Sequence, residues 1–211
     1  MTAKRPIRIV LPDAGPLILL ALGNVLHLLL LASDDVRIVV TDIVEFEATH
    51  RTDRHADALA IQNFLQEHAQ RVEVLPTTIG TLALGDLRRR ALAGETVSLS
   101  KDLGELSITN FVISLRTVNP GDPMLVIIED DWFSANSYSV PGNVHLLSTS
   151  AWLDGLEALG RIPSAAAVRS QIQAARPHFR ADFLVDQEAE KIPEGTEWRT
   201  RFRPGSVVSR T

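Results

Sequence analysis

Two apolar segments of this chain each lead directly into aspartate. Residues 7–11 end just before Asp13, and residues 124–128 precede an acidic run that includes Asp130 and Asp131. An aspartate after a strand is typically a turn former or a helix cap, but strands that run parallel would bring these carboxylates to one edge of a sheet. Carboxylates in a partly dehydrated cleft repel each other unless they share a proton or bind a cation. The pattern therefore indicates a site for a hard divalent ion such as Mg²⁺ or Mn²⁺, which can activate water for displacement at phosphorus.

The elements that would position these acids alternate along the chain. Apolar or β-branched segments predict strands at residues 7–11, 36–40, 72–75, 124–128 and 144–147. Helices are predicted at residues 24–32, 44–49, 55–69, 81–93, 100–115 and 152–159. This alternation favours an α/β protein with a three-layer α/β/α arrangement around a central, mostly parallel sheet.

Capping and periodicity give two finer expectations. Thr41 precedes the helix at residues 44–49 and is a natural N-cap for it. In the helix at residues 55–69, the apolar side chains recur at helical spacing and predict one buried face, made of Ala58, Ile61, Phe64 and Leu65.

Composition bounds the class of protein. The chain has 211 residues, 45% apolar and 22% charged, which fits one domain over residues 1–176 and a polar C-terminal tail over residues 177–211. The net charge of -5 supplies no general attraction for nucleic acid. The absence of cysteine excludes disulfides and thiolate metal sites, and it suits a cytoplasmic protein. The apolar stretch at residues 17–32 is shorter than the ~20 residues needed to cross a bilayer, so no membrane association is expected and the stretch is interpreted as a strand end and a core helix.

Several stretches between residues 7 and 162 resemble the PIN-domain ribonucleases, a family that includes VapC-like toxins of bacterial toxin-antitoxin pairs. The likeness is carried by IVLPDAGPLILLA, RIVVTDIVEFEAT, LSKDLGELSITNFVISL, MLVIIEDDWF and VHLLSTSAWLDGLEALGRI. The resemblance implies a PIN-like fold and an endoribonuclease that uses Mg²⁺ or Mn²⁺. It also implies an RNA substrate, a homodimer and a possible antitoxin protein that inserts into the acidic groove.

The same resemblance implies roles for particular acids. Asp13 matches the metal-binding aspartate after the first strand, and Glu47 fits the glutamate of the following helix better than Glu45 does. Glu105 takes the place of a third ligand. Ser100 or Asp102 can cap its helix, and the resemblance favours Asp102.

The last two stretches complete the implied site. Asp130 corresponds to the acid after the fourth strand, Asp131 competes for that place, and Phe133 belongs to the packing. Thr149 or its neighbours would stand near the site. The implied catalytic and metal-binding residues are therefore Asp13, Glu47, Glu105 and Asp130, with Asp131 as a further metal ligand.

Two other functions are compatible with these residues. A non-catalytic PIN-like module would bind protein or RNA without cutting it. An aspartate-based phosphohydrolase would use Asp13 as a nucleophile, although that class usually has a second aspartate two residues later, where this chain has Gly15.

Overall fold

A five-stranded parallel sheet forms the centre of the computed structural model, which describes residues 6–33, 35–118, 122–129 and 143–175. The strand order is β3-β2-β1-β4-β5, and every pair of neighbours is parallel. The strands are β1 (Ile9–Pro12), β2 (Arg37–Thr41), β3 (Val72–Leu75), β4 (Met124–Ile127) and β5 (Val144–Leu147). The predicted α/β class and its parallel sheet are confirmed.

The strand order contains one reversal of direction. From β1 the chain adds β2 and then β3 on one side, and it then crosses to add β4 and β5 on the other side of β1. Right-handed crossovers in opposite directions place their helices on opposite faces of the sheet, which gives the three-layer arrangement. The reversal lies between β1 and β4, and ligands of open α/β sheets bind beside such a point.

Helices connect the strands and cover the sheet. They are α1 (Ala14–Leu22), the 3-10 helix η1 (Leu26–Leu31), α2 (Asp42–Thr49), α3 (Ala56–Glu67), α4 (Thr78–Leu92), α5 (Leu103–Val118), α6 (Thr149–Ala158) and α7 (Ala165–Ala175). The described strands β1 and β4 are buried along their whole length, as expected of strands that are covered on both faces. The predicted apolar face of α3 is confirmed, since its four side chains all lie in the interior.

The apolar stretch after Asp13 differs from its prediction. An α-helix begins at Ala14, and residues 26–31 form a 3-10 helix instead of an α-helix, so the expectation of a strand end followed by one core helix is wrong. Pro16 is tolerated because it lies in the first turn of α1, where backbone N–H groups have no partner within the helix. Asn24, with φ +54°, then turns the chain out of α1.

Two helices start earlier than their hydrophobic pattern indicates, because hydroxyl groups cap them. The Thr77 side chain accepts a hydrogen bond from Gly80 N at 2.9 Å, so α4 begins at Thr78. The Ser148 side chain accepts one from Ala151 N at 3.1 Å, so α6 begins at Thr149. Both caps satisfy backbone donors that the first helical turn leaves without partners.

Helix α7 packs against the C-terminal end of α1. Gln171 Nε2 donates to the carbonyl of Gly23 at 2.6 Å, and a Cβ on Gly23 would lie 2.6 Å from Ile172. The last described helix therefore packs onto the same domain as α1, and that helix extends to Ala175. The expected tail at residues 177–211 lies outside the described residues. Within the described ranges, no helix combines the length and the apolar character needed to cross a membrane.

Candidate acidic site at the carboxyl edge of the sheet

Asp13 lies at the reversal point of the sheet. Its backbone N–H donates to Ile127 O at 2.9 Å, which continues the pairing of β1 with β4, and its side chain is only 8% exposed. It occupies the N-cap position of α1, yet its carboxylate makes no capping hydrogen bond to that helix. The interpretation of Asp13 as an ordinary helix cap therefore does not explain why a carboxylate is buried here.

Glu47 reaches the same place from α2. Its carboxylate accepts a hydrogen bond from the backbone N–H of Gly104, in the first turn of α5. A Cβ on Gly104 would lie 2.6 Å from Glu47 Oε2 and 3.3 Å from Asp13 Oδ1. Oxygens of two carboxylates from different elements thus lie within 3.3 Å of one point, and only a glycine leaves space for them.

The electrostatic environment of Glu47 is unfavourable for its charged form. Burial is the largest effect, repulsion from Glu105 is the next, and together they raise the pKa of Glu47 from 4.5 to about 7. The Gly104 hydrogen bond opposes this rise, while repulsion from Asp102 adds to it. The charged form of Glu47 is therefore disfavoured mainly by burial and further by the nearby acids, and a single backbone hydrogen bond offsets only part of this.

Glu105 follows Gly104 in the first turn of α5, where the helix dipole favours an acid. The predicted cap of this helix, Asp102, has φ +65° in place of the extended backbone usual for an N-cap. Its carbonyl accepts the first helical hydrogen bond, from Leu106 N at 3.1 Å. Asp102 therefore starts the helix through a left-handed turn that leads directly into Gly104 and Glu105.

A buried pair of hydroxyls fixes α5 against β2. Thr41 Oγ1 and Ser107 Oγ lie 2.6 Å apart, and Ser107 Oγ also donates to Gly104 O at 2.6 Å. Thr41 occupies the N-cap position of α2 as predicted, but its side chain makes no capping hydrogen bond to that helix. The hydroxyl instead positions the turn of α5 that carries Gly104.

Glu45 and Asp42 lie on the same helix as Glu47 but in a different electrostatic environment. Burial and the nearby Asp42 raise the pKa of Glu45, with no contribution from Glu105. The Asp42 carboxylate accepts hydrogen bonds from Thr77 N at 3.2 Å and Thr77 Oγ1 at 2.9 Å. Of the two glutamates, Glu47 is therefore the one that the fold directs toward Gly104.

Glu129 was not singled out from the sequence. It follows β4 directly, is 5% exposed, and its Oε1 accepts a hydrogen bond from Thr149 N at 2.7 Å. Its side chain also lies over Gly15, where a Cβ would be 3.4 Å from Glu129 Cγ. A buried carboxylate thus joins the end of β4 to the first turn of α1 and to the N-terminus of α6. Its place in the sequence, directly after an apolar strand, is the signal that could have identified it.

The remaining predicted ligands, Asp130 and Asp131, lie outside the described residues, as does Phe133. Within the part of the chain that is described, no group of three or more histidines or acids is arranged to hold a metal ion. The described site therefore consists of two converging carboxylates, Asp13 and Glu47, with Glu105 close enough to repel the second.

Comparisons of the chain with protein-family models, with curated proteins and with solved structures give no match.

Proposed function

We propose that the chain is a metal-dependent endoribonuclease of the PIN-domain type, which cleaves RNA phosphodiester bonds with Mg²⁺ or Mn²⁺. The observation that carries the proposal is the convergence of Asp13 Oδ1 and Glu47 Oε2 beside Gly104, at the reversal point of a parallel sheet. These two carboxylates belong to the set that the resemblance implies, together with Glu105 and Asp130 or Asp131.

The donors at this place fit a hard divalent cation. They are carboxylate oxygens, which Mg²⁺ and Mn²⁺ prefer over nitrogen and sulfur ligands. The raised pKa of Glu47 supports the same fit, because a bound cation would favour the charged form that burial, and then repulsion from Glu105, now disfavour. Asp13 and Glu47 would hold the ion, and Glu105 would add charge and a further oxygen.

The residues of this chain then have separate tasks in hydrolysis. When bound, the metal would polarise the phosphodiester and lower the pKa of a water molecule. Asp13 and Glu47 would fix the position of the ion, because both are held by other elements of the fold. The Asp13 backbone N–H donates to Ile127 O, and the Glu47 carboxylate accepts a hydrogen bond from the Gly104 N–H. Gly104 keeps open the space that the two carboxylates share, and the N-terminus of α5 offers its dipole to negative charge.

Cleavage of a labelled single-stranded RNA by the purified chain tests this proposal. We expect cutting with Mg²⁺ or Mn²⁺, none in the presence of a chelator, and a loss of about a hundredfold or more in Asp13→Asn. Asp86→Asn, an exposed acid on α4, is the matched control and should cut like the wild type. Equal activity of Asp13→Asn and Asp86→Asn would rule the proposal out.

A non-catalytic PIN-like module is the second candidate, favoured by the finding that the described residues hold no group of three metal-binding side chains. Titration calorimetry with Mn²⁺ separates the two. The nuclease requires binding that is weakened in both Asp13→Asn and Glu47→Gln, whereas the non-catalytic module should show no binding that depends on these carboxylates.

The resemblance to PIN-domain ribonucleases also suggests an oligomeric state, a partner protein and a cellular location. We propose a homodimer in the cytoplasm and a possible antitoxin that covers the acidic site. Light scattering on the purified chain tests the dimer. Co-expression with a candidate antitoxin tests the second partner, because the complex should lose RNA cleavage.

A further inference from the structure

A groove of about 520 Å³ opens beside the acidic site. Its walls are the C-terminal half of α2, the side of α4, and residues 97–101, which lead into α5. Glu47 belongs to the lining of this groove and to the acidic site at once. A ligand that lies in the groove therefore passes next to Glu47, one of the two carboxylates that converge on Gly104.

One wall of the groove carries a stacked pair of rings. The rings of Phe46 and His50 have centroids 5.0 Å apart and planes inclined by only 10°. His50 Nδ1 lies 3.0 Å from the carbonyl oxygen of Phe46, and a carbonyl can only accept, so Nδ1 carries the proton. His50 Nε2 accepts from Arg51 Nε at 3.1 Å, which places the guanidinium beside the edge of the stacked pair.

Cationic side chains border the same wall. Arg51 and Lys101 both line the groove, and their side chains reach the solvent. The bond to His50 uses one of the five N–H donors of the Arg51 guanidinium, which leaves a planar fork for phosphate oxygens. The rest of the groove lining includes three apolar side chains, those of Leu87, Val97 and Leu99.

We propose that this groove binds one nucleotide of single-stranded RNA next to the phosphate that is cut. The base stacks on the Phe46–His50 pair, and Arg51 with Lys101 holds its phosphate. Aromatic platforms and nearby cations are how proteins bind single strands without reading a duplex. The volume is that of a small-ligand pocket, which suits one nucleotide. The inference rests on the proposed ribonuclease function, because the groove borders the acids of that site.

The affinity for a labelled oligouridylate tests the groove separately from cleavage. The measurement uses full-length chain in the Asp13→Asn background, so that bound RNA stays intact. We expect His50→Ala to raise Kd by about fivefold or more through lost stacking. We expect Arg51→Ala to raise Kd as well, and to reduce the slope of log Kd against log salt concentration by about one.

Arg54→Ala is the matched control. Arg54 lies three residues from Arg51, is exposed, and forms an ion pair with Asp53 at 3.3 Å outside the groove lining. Its removal should leave Kd within about twofold and the salt slope unchanged. A general loss of surface charge would affect the two arginine variants alike, and a folding defect would lower their melting temperatures.

The outcomes separate this inference from the proposed function. Suppose that the wild type cuts RNA, but that Arg51→Ala has the same Kd and the same salt slope as Arg54→Ala. The nucleotide groove is then overturned and the nuclease stands. That result would leave the apolar groove to a peptide of a partner protein. If the wild type binds RNA through His50 and Arg51 but never cuts it, the groove stands and the nuclease is overturned.

Discussion

Asp13 and Glu47 come from different layers of the fold, yet both carboxylates border the space where Gly104 has no side chain. Oδ1 of Asp13 and Oε2 of Glu47 lie 3.3 Å and 2.6 Å from the position that a Cβ on Gly104 would take. The absence of one carbon atom in α5 therefore allows two acids from β1 and α2 to share a site.

Replacing Gly104 by alanine should reduce RNA cleavage, because the new side chain would occupy the space of the Glu47 carboxylate. The added Cβ would displace the Glu47 carboxylate, and we expect metal-dependent cleavage to fall by about 10- to 100-fold. Gly85→Ala is the control, since a Cβ there meets nothing within 4 Å, and it should raise the free energy of unfolding by about 0.5–1 kcal/mol. RNA cleavage and urea unfolding of both variants provide the comparison. Unchanged cleavage in Gly104→Ala would contradict the shared site.

Glu47 should make the stability of the metal-free protein depend on pH. Its folded pKa, about 7, is raised above 4.5, so its contribution is fully present below about pH 4.5 and is lost as the pH rises through 7. Glu47→Gln cannot ionise, and we expect it to be more stable than the wild type at about pH 8, by on the order of 2 kcal/mol. The two proteins should differ little at about pH 4.5. Urea unfolding in a chelating buffer at both pH values measures this, and a gap that does not change with pH would refute it.

Glu129 should matter for the fold through its acceptor atom. Glu129→Ala leaves the Thr149 N–H buried without this partner, and we expect the free energy of unfolding to fall by about 1–3 kcal/mol. Glu129→Gln keeps an oxygen acceptor and should lose less. Thermal unfolding of both variants checks the order, and equal losses would show that the charge, not the hydrogen bond, is what Glu129 provides.

Asp42 should be structural and dispensable for chemistry. It accepts two hydrogen bonds from Thr77, and Asp42→Ala should lower the free energy of unfolding by about 1–3 kcal/mol because a buried donor loses its partner. The folded fraction should still cut RNA at the wild-type rate. Asp86→Ala, on the exposed face of α4, should change neither quantity. A large loss of specific activity in Asp42→Ala would instead place it in the site.

Local sequence predicts the strands well because each is a short segment rich in apolar residues, and β1 and β4 are buried along their whole length. Helix starts are less predictable, since Thr77 and Ser148 cap their helices through hydrogen bonds that hydrophobic periodicity does not reveal. The choice of Glu47 over Glu45 came from a resemblance, and the structure gives it a reason in the packing of α2 against α5.

Glu129 was missed for a similar reason. Its burial depends on Gly15 and on the N–H of Thr149, which are remote in the chain and meet it only in the folded sheet. The sequence predicts Asp130 and Asp131 instead, because they repeat the aspartate that follows β1 and because the resemblance implies an acid there. A buried carboxylate at a helix N-terminus is recognised only when the helix and the strand are placed together.

The strand order also fixes when this edge of the sheet can exist during protein synthesis. β1 leaves the ribosome before β4, which is one of its two neighbours and is made only after α5. A nascent chain that ends in α5 already contains Asp13, Glu47 and Glu105, yet it lacks the strand that covers the open side of β1. A prematurely terminated product therefore carries three of the acids without β4, whose Ile127 carbonyl holds the backbone of Asp13.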